Sequence, residues 1–121
     1  MIIDDSPLER FVAETVIKKS LFAEEVMSFS GPADTLAYLE SLVEGAKPFP
    51  DVLFVDIHMP LMNGFEFLDK YVEYPDEIKR RCRVVMFSSS EAQEDILRMK
   101  KYPVIRNFLT KPLSVTALKN I

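Results

Sequence analysis

The sequence predicts a doubly wound α/β fold, in which helices cover both faces of a five-stranded parallel sheet. Short apolar runs alternate with amphipathic segments along all 121 residues, and this alternation is typical of parallel strands joined by right-handed helical crossovers. The run Val52-Leu53-Phe54-Val55 is apolar at every position and ends in Asp56. Such a run indicates a strand that is buried on both faces, as the inner strands of a doubly wound sheet are.

The composition is that of an ordinary globular protein of a reducing compartment. Hydrophobic residues make up 48%, charged residues 28%, and the net charge is −4, which argues against disorder and against direct binding to nucleic acid or a membrane surface. Cys82 is the only cysteine, so a disulfide framework and a Cys-based zinc site are excluded. With no signal-peptide pattern and no membrane-length apolar run, we expect one cytoplasmic domain over residues 1–121.

The first predicted strand is short, and a capped helix follows it. Residues 1–4 form an apolar run that ends in acid. Ser6 is the expected N-cap, Pro7 suits the first helical position, and Glu9 would close a capping box. The helix face expected to point inward is apolar at helical spacing and comprises Leu8, Phe11, Val12, Thr15, Val16 and Lys19.

The remaining elements alternate in the same way. A strand within residues 25–30 shows the period of two, and a helix over 33–43 follows the break at Gly31-Pro32. After the strand at 52–56, the predicted elements are a helix over 65–74, a strand over 83–88, a helix opened by the capping box Ser90-Glu91-Ala92-Gln93 and running to about 101, a strand over 104–109, and a short helix from Val115.

Chemically useful side chains stand where the predicted strands end. Asp4 and Asp5 follow the first strand, Asp56 ends the third, Ser88 ends the fourth, and Lys111 follows the fifth. In doubly wound sheets, ligands bind beyond these carboxyl ends. Carboxylates that meet there repel one another, and a hard divalent cation such as Mg²⁺ relieves that repulsion. A cation, an ammonium and a hydroxyl around one carboxylate suit phosphoryl transfer, with Asp56 as the nucleophile that forms an acyl phosphate.

Four motifs, in this order and at these spacings, carry a resemblance to a known family. They are Ile3-Asp4-Asp5, the run from Val55 to Gly64 (VDIHMPLMNG), Phe87-Ser88-Ser89, and Phe108-Leu109-Thr110-Lys111-Pro112. With them, the whole sequence resembles the receiver domain of two-component response regulators. The resemblance implies a flavodoxin-like strand order of 2-1-3-4-5. Because the first strand and the last helix are short, we leave open that the domain is trimmed at both ends.

The resemblance also implies a metal site and a modified residue. Asp56 is the implied phosphoacceptor, modified to 4-aspartylphosphate. Asp5 and Asp56 would bind Mg²⁺ directly, together with the backbone carbonyl of His58, and Asp4 would act through a metal-bound water. We expect the His58 side chain to face solvent, because the sequence holds no second histidine for a histidine-based metal site.

Two further residues are the implied switch. Ser88 would swing towards the phosphoryl oxygen and Phe108 would turn inward, while Lys111 contacts the phosphoryl group and the Lys111–Pro112 bond is cis. These changes would alter the face formed by the fourth helix, the fifth strand and the fifth helix. Its candidate contact residues are Ile96, Leu97, Met99, Tyr102, Val104 and Arg106.

The implied function is phosphorelay signal transduction by a phosphoacceptor domain that is not itself an enzyme for a separate substrate. The phosphodonor would be a histidine kinase or a histidine phosphotransfer protein. The recipient of the signal would be a downstream protein or a fused output domain, and a homodimer through the switch face is a further option. Two alternatives stay open: a pseudo-receiver that takes no phosphate, and an aspartate-based phosphatase on a similar fold. The latter would usually carry an acid at position 58.

Overall fold

A computed structural model of the chain, which describes residues 1–89 and 92–121, contains the predicted parallel sheet. The strands are β1 (Ile2–Ile3), β2 (Ser28–Phe29), β3 (Val52–Asp56), β4 (Arg83–Ser88) and β5 (Ile105–Thr110). The helices are α1 (Pro7–Lys19), α2 (Pro32–Glu44), α3 (Gly64–Tyr71), α4 (Asp76–Lys79), α5 (Gln93–Met99) and α6 (Val115–Lys119). The spatial order β2-β1-β3-β4-β5 confirms the predicted order.

The region between α3 and β4 differs from the prediction of one helix over 65–74. Helix α3 ends at Tyr71, and the separate short helix α4 follows Pro75. A proline has no N–H to donate and disfavours helical geometry in the residue before it, so the chain cannot continue α3 through this position. The fourth and fifth predicted helices are therefore α5 and α6. Ser90 and Glu91, at the start of the predicted capping box, lie outside the described residues.

Helix α1 presents a different face to the sheet from the one expected. Leu8 and Phe11 are 68% and 65% exposed, whereas Ala13 and Ile17 are buried. Both stripes recur at helical spacing, so periodicity alone does not decide between them. The buried stripe carries the small Ala13, which lets the helix approach the sheet closely, and the prediction that Leu8 and Phe11 point inward is wrong.

The N-terminus of α1 is capped by only one of the two hydrogen bonds of the predicted capping box. The Ser6 side chain accepts a hydrogen bond from the Glu9 amide at 3.2 Å. The predicted capping box would have the Glu9 side chain accept a hydrogen bond from the Ser6 amide. That amide instead donates to Asp4 Oδ1 at 2.9 Å. The buried carboxylate two residues earlier is the closer acceptor, so the first turn of α1 is tied directly to the end of β1.

The core is divided by the sheet into two layers. Ile3, Leu53 and Val55 face the layer that includes α2 and α3, while Ile2 and Phe54 face the layer that includes α1 and α6. This division follows from the period of two along β1 and β3. Because both faces are covered, nearly the only polar side chains in these central strands are those at the strand ends.

Gly64, the first residue of α3, lies against the end of β3. A Cβ built on Gly64 would lie 2.5 Å from the backbone oxygen of Asp56 and 3.1 Å from the Cα of Ile57. Both obstacles are backbone atoms that cannot rotate away. The absence of a side chain at position 64 thus allows α3 to pack directly on the backbone that positions Asp56.

We predict that Gly64→Ala destabilises the protein by about 3 kcal/mol, because the added methyl group must displace the β3 backbone. The matched control is Gly31→Ala, since a Cβ at Gly31 meets no atom within 4 Å and φ there is −165°. The control should change the free energy of unfolding by less than about 0.5 kcal/mol. Urea unfolding followed by circular dichroism measures both, and equal effects of the two substitutions would contradict this packing argument.

Candidate functional site

Three carboxylates lie together at the carboxyl edge of the sheet. Asp4 and Asp5 follow β1, and Asp56 is the last residue of the adjacent strand β3. One oxygen from each side chain lies within 4.8 Å of the others. Asp4 and Asp56 are buried and Asp5 is exposed, so the cluster has two inner carboxylates and one that faces solvent.

Lys111 brings a positive charge to the inner carboxylates. Its Nζ lies 2.5 Å from Asp4 Oδ2 and 3.5 Å from Asp56 Oδ2, and its side chain is only 7% exposed. The Lys111 amide donates to the Ser88 carbonyl at 2.8 Å, which joins the end of β5 to the end of β4. The Lys111–Pro112 bond is cis, as expected.

The surroundings of Asp56 disfavour its charged form. Burial is the main cause, and the neighbouring charge of Asp4 adds to it, so that the pKa of Asp56 is raised from 3.8 to about 7. The Lys111 ammonium and the His58 amide, which donates to Asp56 Oδ1 at 3.3 Å, oppose this shift without cancelling it. The Lys111 ammonium therefore does not fully offset the negative charge of the carboxylates around it.

Lys111 is held in its charged form by the same carboxylates. Burial alone would lower the pKa of Lys111, but the contact with Asp4 and the charges of Asp56 and Asp4 outweigh it, and the pKa is raised. The lysine therefore remains a permanent cation beside Asp56 at any pH near neutrality.

The carboxylates fit a hard divalent cation. Asp4 Oδ2 is buried, and the Lys111 ammonium is its near neighbour. Asp5 is open to solvent, which leaves room for water ligands. Clustered oxygen donors with uncompensated charge and an open side are what Mg²⁺ prefers in proteins.

The two expected switch residues lie on neighbouring strands beside this cluster. Ser88 is fully buried at the end of β4 and is paired in register with Thr110 of β5. Phe108, two residues earlier on β5, is half-buried and packs against the core layer that includes α3. Ser88 thus lies at the carboxyl end of the strand next to that of Asp56, whereas Phe108 lies within β5, two residues before its end.

Two residues that the sequence reasoning missed also contact the site. The His58 imidazole is exposed, as expected, but its Nε2 lies 2.9 Å from Asp95 Oδ2 on α5. Arg10 Nη1 donates to the Asp4 backbone oxygen at 2.7 Å. Asp95 is 37 residues from His58 in the chain, and no local sequence pattern predicts such a pairing. The contact of Arg10 with Asp4 is not predictable either, because a basic residue six positions after an acid is not a recognised motif.

Large apolar side chains are exposed around the rim of the cluster. Leu8 and Phe11 share one face of α1 just after Asp5, and Leu61, on the loop that follows Asp56, is fully exposed. Its backbone has a positive φ of 70°, a conformation that a leucine seldom adopts. These exposed apolar side chains, here called the rim, thus lie on the two segments that follow the carboxylates in the chain.

Cys82 precedes β4, and burial raises the pKa of its thiol, which disfavours the thiolate that a cysteine nucleophile needs. The basic run that begins at Lys79 forms the end of α4 and the turn before β4. Among the helices of the described ranges, none has the length and apolar character needed to cross a membrane.

Comparison with known proteins agrees with this geometry. The family described as response regulator receiver domain matches residues 1–121. The two-component response regulator ARR2 of Arabidopsis thaliana is 25% identical over 121 residues, which cover 100% of this chain and 16% of that protein. The nitrate/nitrite response regulator protein NarL of Escherichia coli is 32% identical over 101 residues, or 84% of this chain and 42% of that protein.

A solved structure shows the same fold. The two-component response regulator from Cytophaga hutchinsonii superposes with a TM-score of 0.88 and 27% identity, covering 98% of this chain and 89% of that one. The chain thus spans less than half the length of both curated relatives but most of this solved chain.

We predict that Asp56→Asn stabilises the fold at pH 8 by about 2 kcal/mol. The unfolded chain releases the Asp56 proton near pH 3.8, whereas the folded chain holds it to about pH 7. The folded state therefore binds more protons between these values, and stability falls as the pH rises through them. Asparagine is neutral throughout, so its advantage should disappear near pH 4.

Urea unfolding at pH 4, 6 and 8 in the presence of a chelator measures this difference. Glu40→Gln is the matched control, because Glu40 is exposed on α2 and its removal should have no comparable pH-dependent effect. A gain of the same size at pH 4 and pH 8, or a loss at pH 8, would contradict the electrostatic account.

Proposed function

The chain belongs to the response regulator receiver domain family, and from this premise we propose that Asp56 accepts a phosphoryl group from a histidine kinase or a histidine phosphotransfer protein. The observation that carries the proposal is the buried Asp56 carboxylate, flanked by Asp4 and Asp5 with the Lys111 ammonium opposite. Membership of the family makes the chain a signalling domain of two-component systems. The chemistry that follows is proposed for named residues of this chain.

Asp5, Asp56 and the backbone carbonyl of His58 would hold Mg²⁺ directly, with Asp4 holding it through water. The clustering of the three carboxylates and the raised pKa of Asp56 support this assignment. When bound, the ion supplies the positive charge that the carboxylates lack and polarises the oxygens of the incoming phosphoryl group.

Asp56 Oδ2 is the nucleophile in this proposal. Oδ1 accepts a hydrogen bond from the His58 amide, whereas Oδ2 is the oxygen near Lys111. An Oδ2–phosphorus bond forms as the bond from phosphorus to the donor imidazole nitrogen breaks, and that nitrogen keeps the electron pair. The products are an acyl phosphate on Asp56 and a free histidine on the donor, while Lys111 balances the charge on the phosphoryl oxygens.

The phosphoryl group then acts on the switch residues. The Ser88 hydroxyl donates to a phosphoryl oxygen, and Phe108 turns inward beside it. The bond from the Lys111 amide to the Ser88 carbonyl and the pairing of Ser88 with Thr110 support a coupling between β4 and β5. A new charge at one end of this coupled pair shifts the population between two arrangements of the face.

The surface that changes is the face of α5, β5 and α6. Its candidate contact residues differ in exposure: Ile96, Leu97 and Arg106 are exposed, whereas Met99, Tyr102 and Val104 are half-buried. The partner of this face would be a downstream protein, a fused output domain or a second copy of the domain. We propose that residues 1–121 act as one cytoplasmic phosphoacceptor domain, with no catalysis beyond its own phosphorylation and dephosphorylation.

We predict that acetyl phosphate and Mg²⁺ together add one phosphoryl group, about 80 Da, to the wild-type protein. In this reaction the bond from phosphorus to the acetate oxygen breaks and acetate leaves. Intact-mass spectrometry and peptide mapping should place the group on Asp56. Excess chelator should prevent the increment, and Asp56→Asn should not acquire it.

Each rival function gives a distinct result in the same experiment. A wild-type protein that binds Mg²⁺ but gains no mass would be a pseudo-receiver. Continuous release of phosphate from a phosphate ester would indicate a phosphatase instead. Modification of Asp56→Asn at the wild-type rate would show that another residue is the nucleophile.

We predict that Leu8→Ser and Phe11→Ser each slow phosphotransfer from a phosphorylated histidine phosphotransfer protein by about tenfold, because a docked partner would bury these exposed side chains. Labelling by acetyl phosphate, which needs no protein contact, should stay within about twofold of the wild type. Leu21→Ser is the matched control, since Leu21 is 87% exposed but lies beyond the opposite end of α1. Equal slowing by Leu21→Ser would contradict docking at this rim.

A further inference from the structure

A shallow cavity lies at the amino ends of β4 and β5, at the edge of the sheet opposite the carboxylates. It is open to solvent and has a volume of about 410 Å³. Two of its lining residues, Cys82 and Val104, directly precede β4 and β5. Because the carboxylates follow the other ends of the strands, this cavity, here called the side cavity, is a separate feature of the surface.

The side cavity has a largely apolar lining, to which Tyr71, Val72, Cys82 and Val104 contribute. Val72 is 45% exposed. The hydroxyl of the buried Tyr71 lies near the Cys82 thiol, which is a weak hydrogen-bonding partner. Exposed apolar surface of this kind gains free energy when another apolar side chain removes it from water.

Two basic residues, Lys79 and Arg80, complete the lining together with Asp76. The Lys79 side chain is only 12% exposed, and its ammonium lies 3.4 Å from Asp76 Oδ1. The same ammonium donates to the Val72 carbonyl at 2.8 Å. Arg80, by contrast, is exposed. Lys79 is therefore already engaged within the fold, whereas Arg80 is accessible to a ligand.

Arg80 is one of four exposed basic residues, here called the basic patch; the others are Arg81, Lys100 and Lys101. Arg81 follows Arg80 in the turn before β4, and the two lysines lie in the segment that joins α5 to β5. Among the described residues, no carboxylate forms an ion pair with any of the four. The patch thus carries positive charge that this part of the chain does not offset by direct contact.

The positive charge belongs to one part of the chain. Residues 1–77 contain 16 acidic and 5 basic residues, whereas residues 78–121 contain 3 acidic and 10 basic residues. The protein as a whole is acidic, with a net charge of −4. An acidic partner is therefore attracted to the patch and repelled by much of the remaining chain, which fixes where it docks.

The surroundings favour an acidic peptide over a nucleic acid. Two exposed acids, Asp76 and Glu77, lie on α4 just before the basic residues, and they would repel a continuous phosphate backbone. Single-stranded nucleic acids also use aromatic faces on which bases stack, whereas Tyr71 of the side cavity is buried. A peptide can hold its carboxylates beside the basic patch and place one apolar side chain in the side cavity.

We propose that the side cavity and the basic patch together dock an acidic segment of a partner protein. One apolar side chain of that segment occupies the cavity beside Val72 and Val104, and the carboxylates that flank it face Arg80 and Lys101. Two basic patches would repel each other, so a symmetric dimer through this surface is disfavoured. The docking involves neither Asp56 nor a metal ion and is independent of the function proposed above.

The test measures binding of the peptide acetyl-Asp-Glu-Leu-Glu-Asp-amide to the chain of 121 residues, without Mg²⁺ or a phosphodonor. We expect saturable binding with a Kd below about 1 mM. An NMR titration should shift the amide signals of Cys82, Lys101 and Val104. Replacement of the leucine of the peptide by serine should weaken binding by about tenfold, because the apolar contact in the cavity is lost.

The double substitution Arg80→Glu and Lys101→Glu should weaken binding of the leucine peptide by at least about tenfold, because it places like charges opposite the peptide. The matched control is Lys19→Glu with Lys119→Glu, which changes the net charge equally. Both control residues are exposed on helices that cover the opposite face of the sheet from Tyr71. The control should stay within about twofold of the wild-type affinity, and circular dichroism should show both variants folded.

Several results would overturn the proposal. Lack of saturable binding, or equal binding of the serine peptide, would show that the cavity takes no acidic segment. Equal weakening by the control would reduce the effect to net charge. Tighter binding of a poly-dT oligonucleotide at the same amides would assign the patch to nucleic acid, and a concentration-dependent wild-type dimer that shifts them would assign it to a second copy. Labelling of Asp56 by acetyl phosphate should be the same in all these variants, so each proposal is tested separately.

Discussion

The organisation of this protein depends on an imbalance of charge at one edge of its sheet. Asp4 and Asp56 are buried on adjacent strands, and Lys111 is the ammonium that faces both. A buried carboxylate without enough positive charge is costly, and the cost appears as the raised pKa of Asp56. The same imbalance fits the proposed Mg²⁺ site, because a divalent cation would supply the positive charge that the folded chain lacks there.

The contacts that position Asp56 and Lys111 also connect them to other elements of the fold. Gly64 lets α3 rest on the backbone of Asp56, and the His58 loop reaches Asp95 on α5. The Lys111 amide is bonded to the end of β4. These contacts link the segment around Asp56 and Lys111 to α3, α5 and the end of β4. In physical terms, the proposed signal is a local electrostatic change that biases the packing of α5 and β5.

The sequence by itself determined the elements and the residues that end them. Strand β3 and the run of site residues at strand ends were predictable because they depend on local hydrophobicity and on the general rule for parallel sheets. The predicted third helix stopped before Pro75, as proline chemistry requires, but it ran three residues beyond the end of α3, and the short helix α4 was not predicted. The strand order followed only from the resemblance to a family.

The tertiary structure alone decided which stripe of α1 is buried, because two stripes of suitable spacing compete and only packing against the sheet selects Ala13 and Ile17. The tertiary structure alone also decided that Asp4, rather than Glu9, accepts a hydrogen bond from the Ser6 amide. The same holds for the contact between His58 and Asp95. The raised pKa of Asp56 belongs to the same class. These properties depend on distances between segments that are far apart in the chain, and such distances are set by the packed fold rather than by any local pattern.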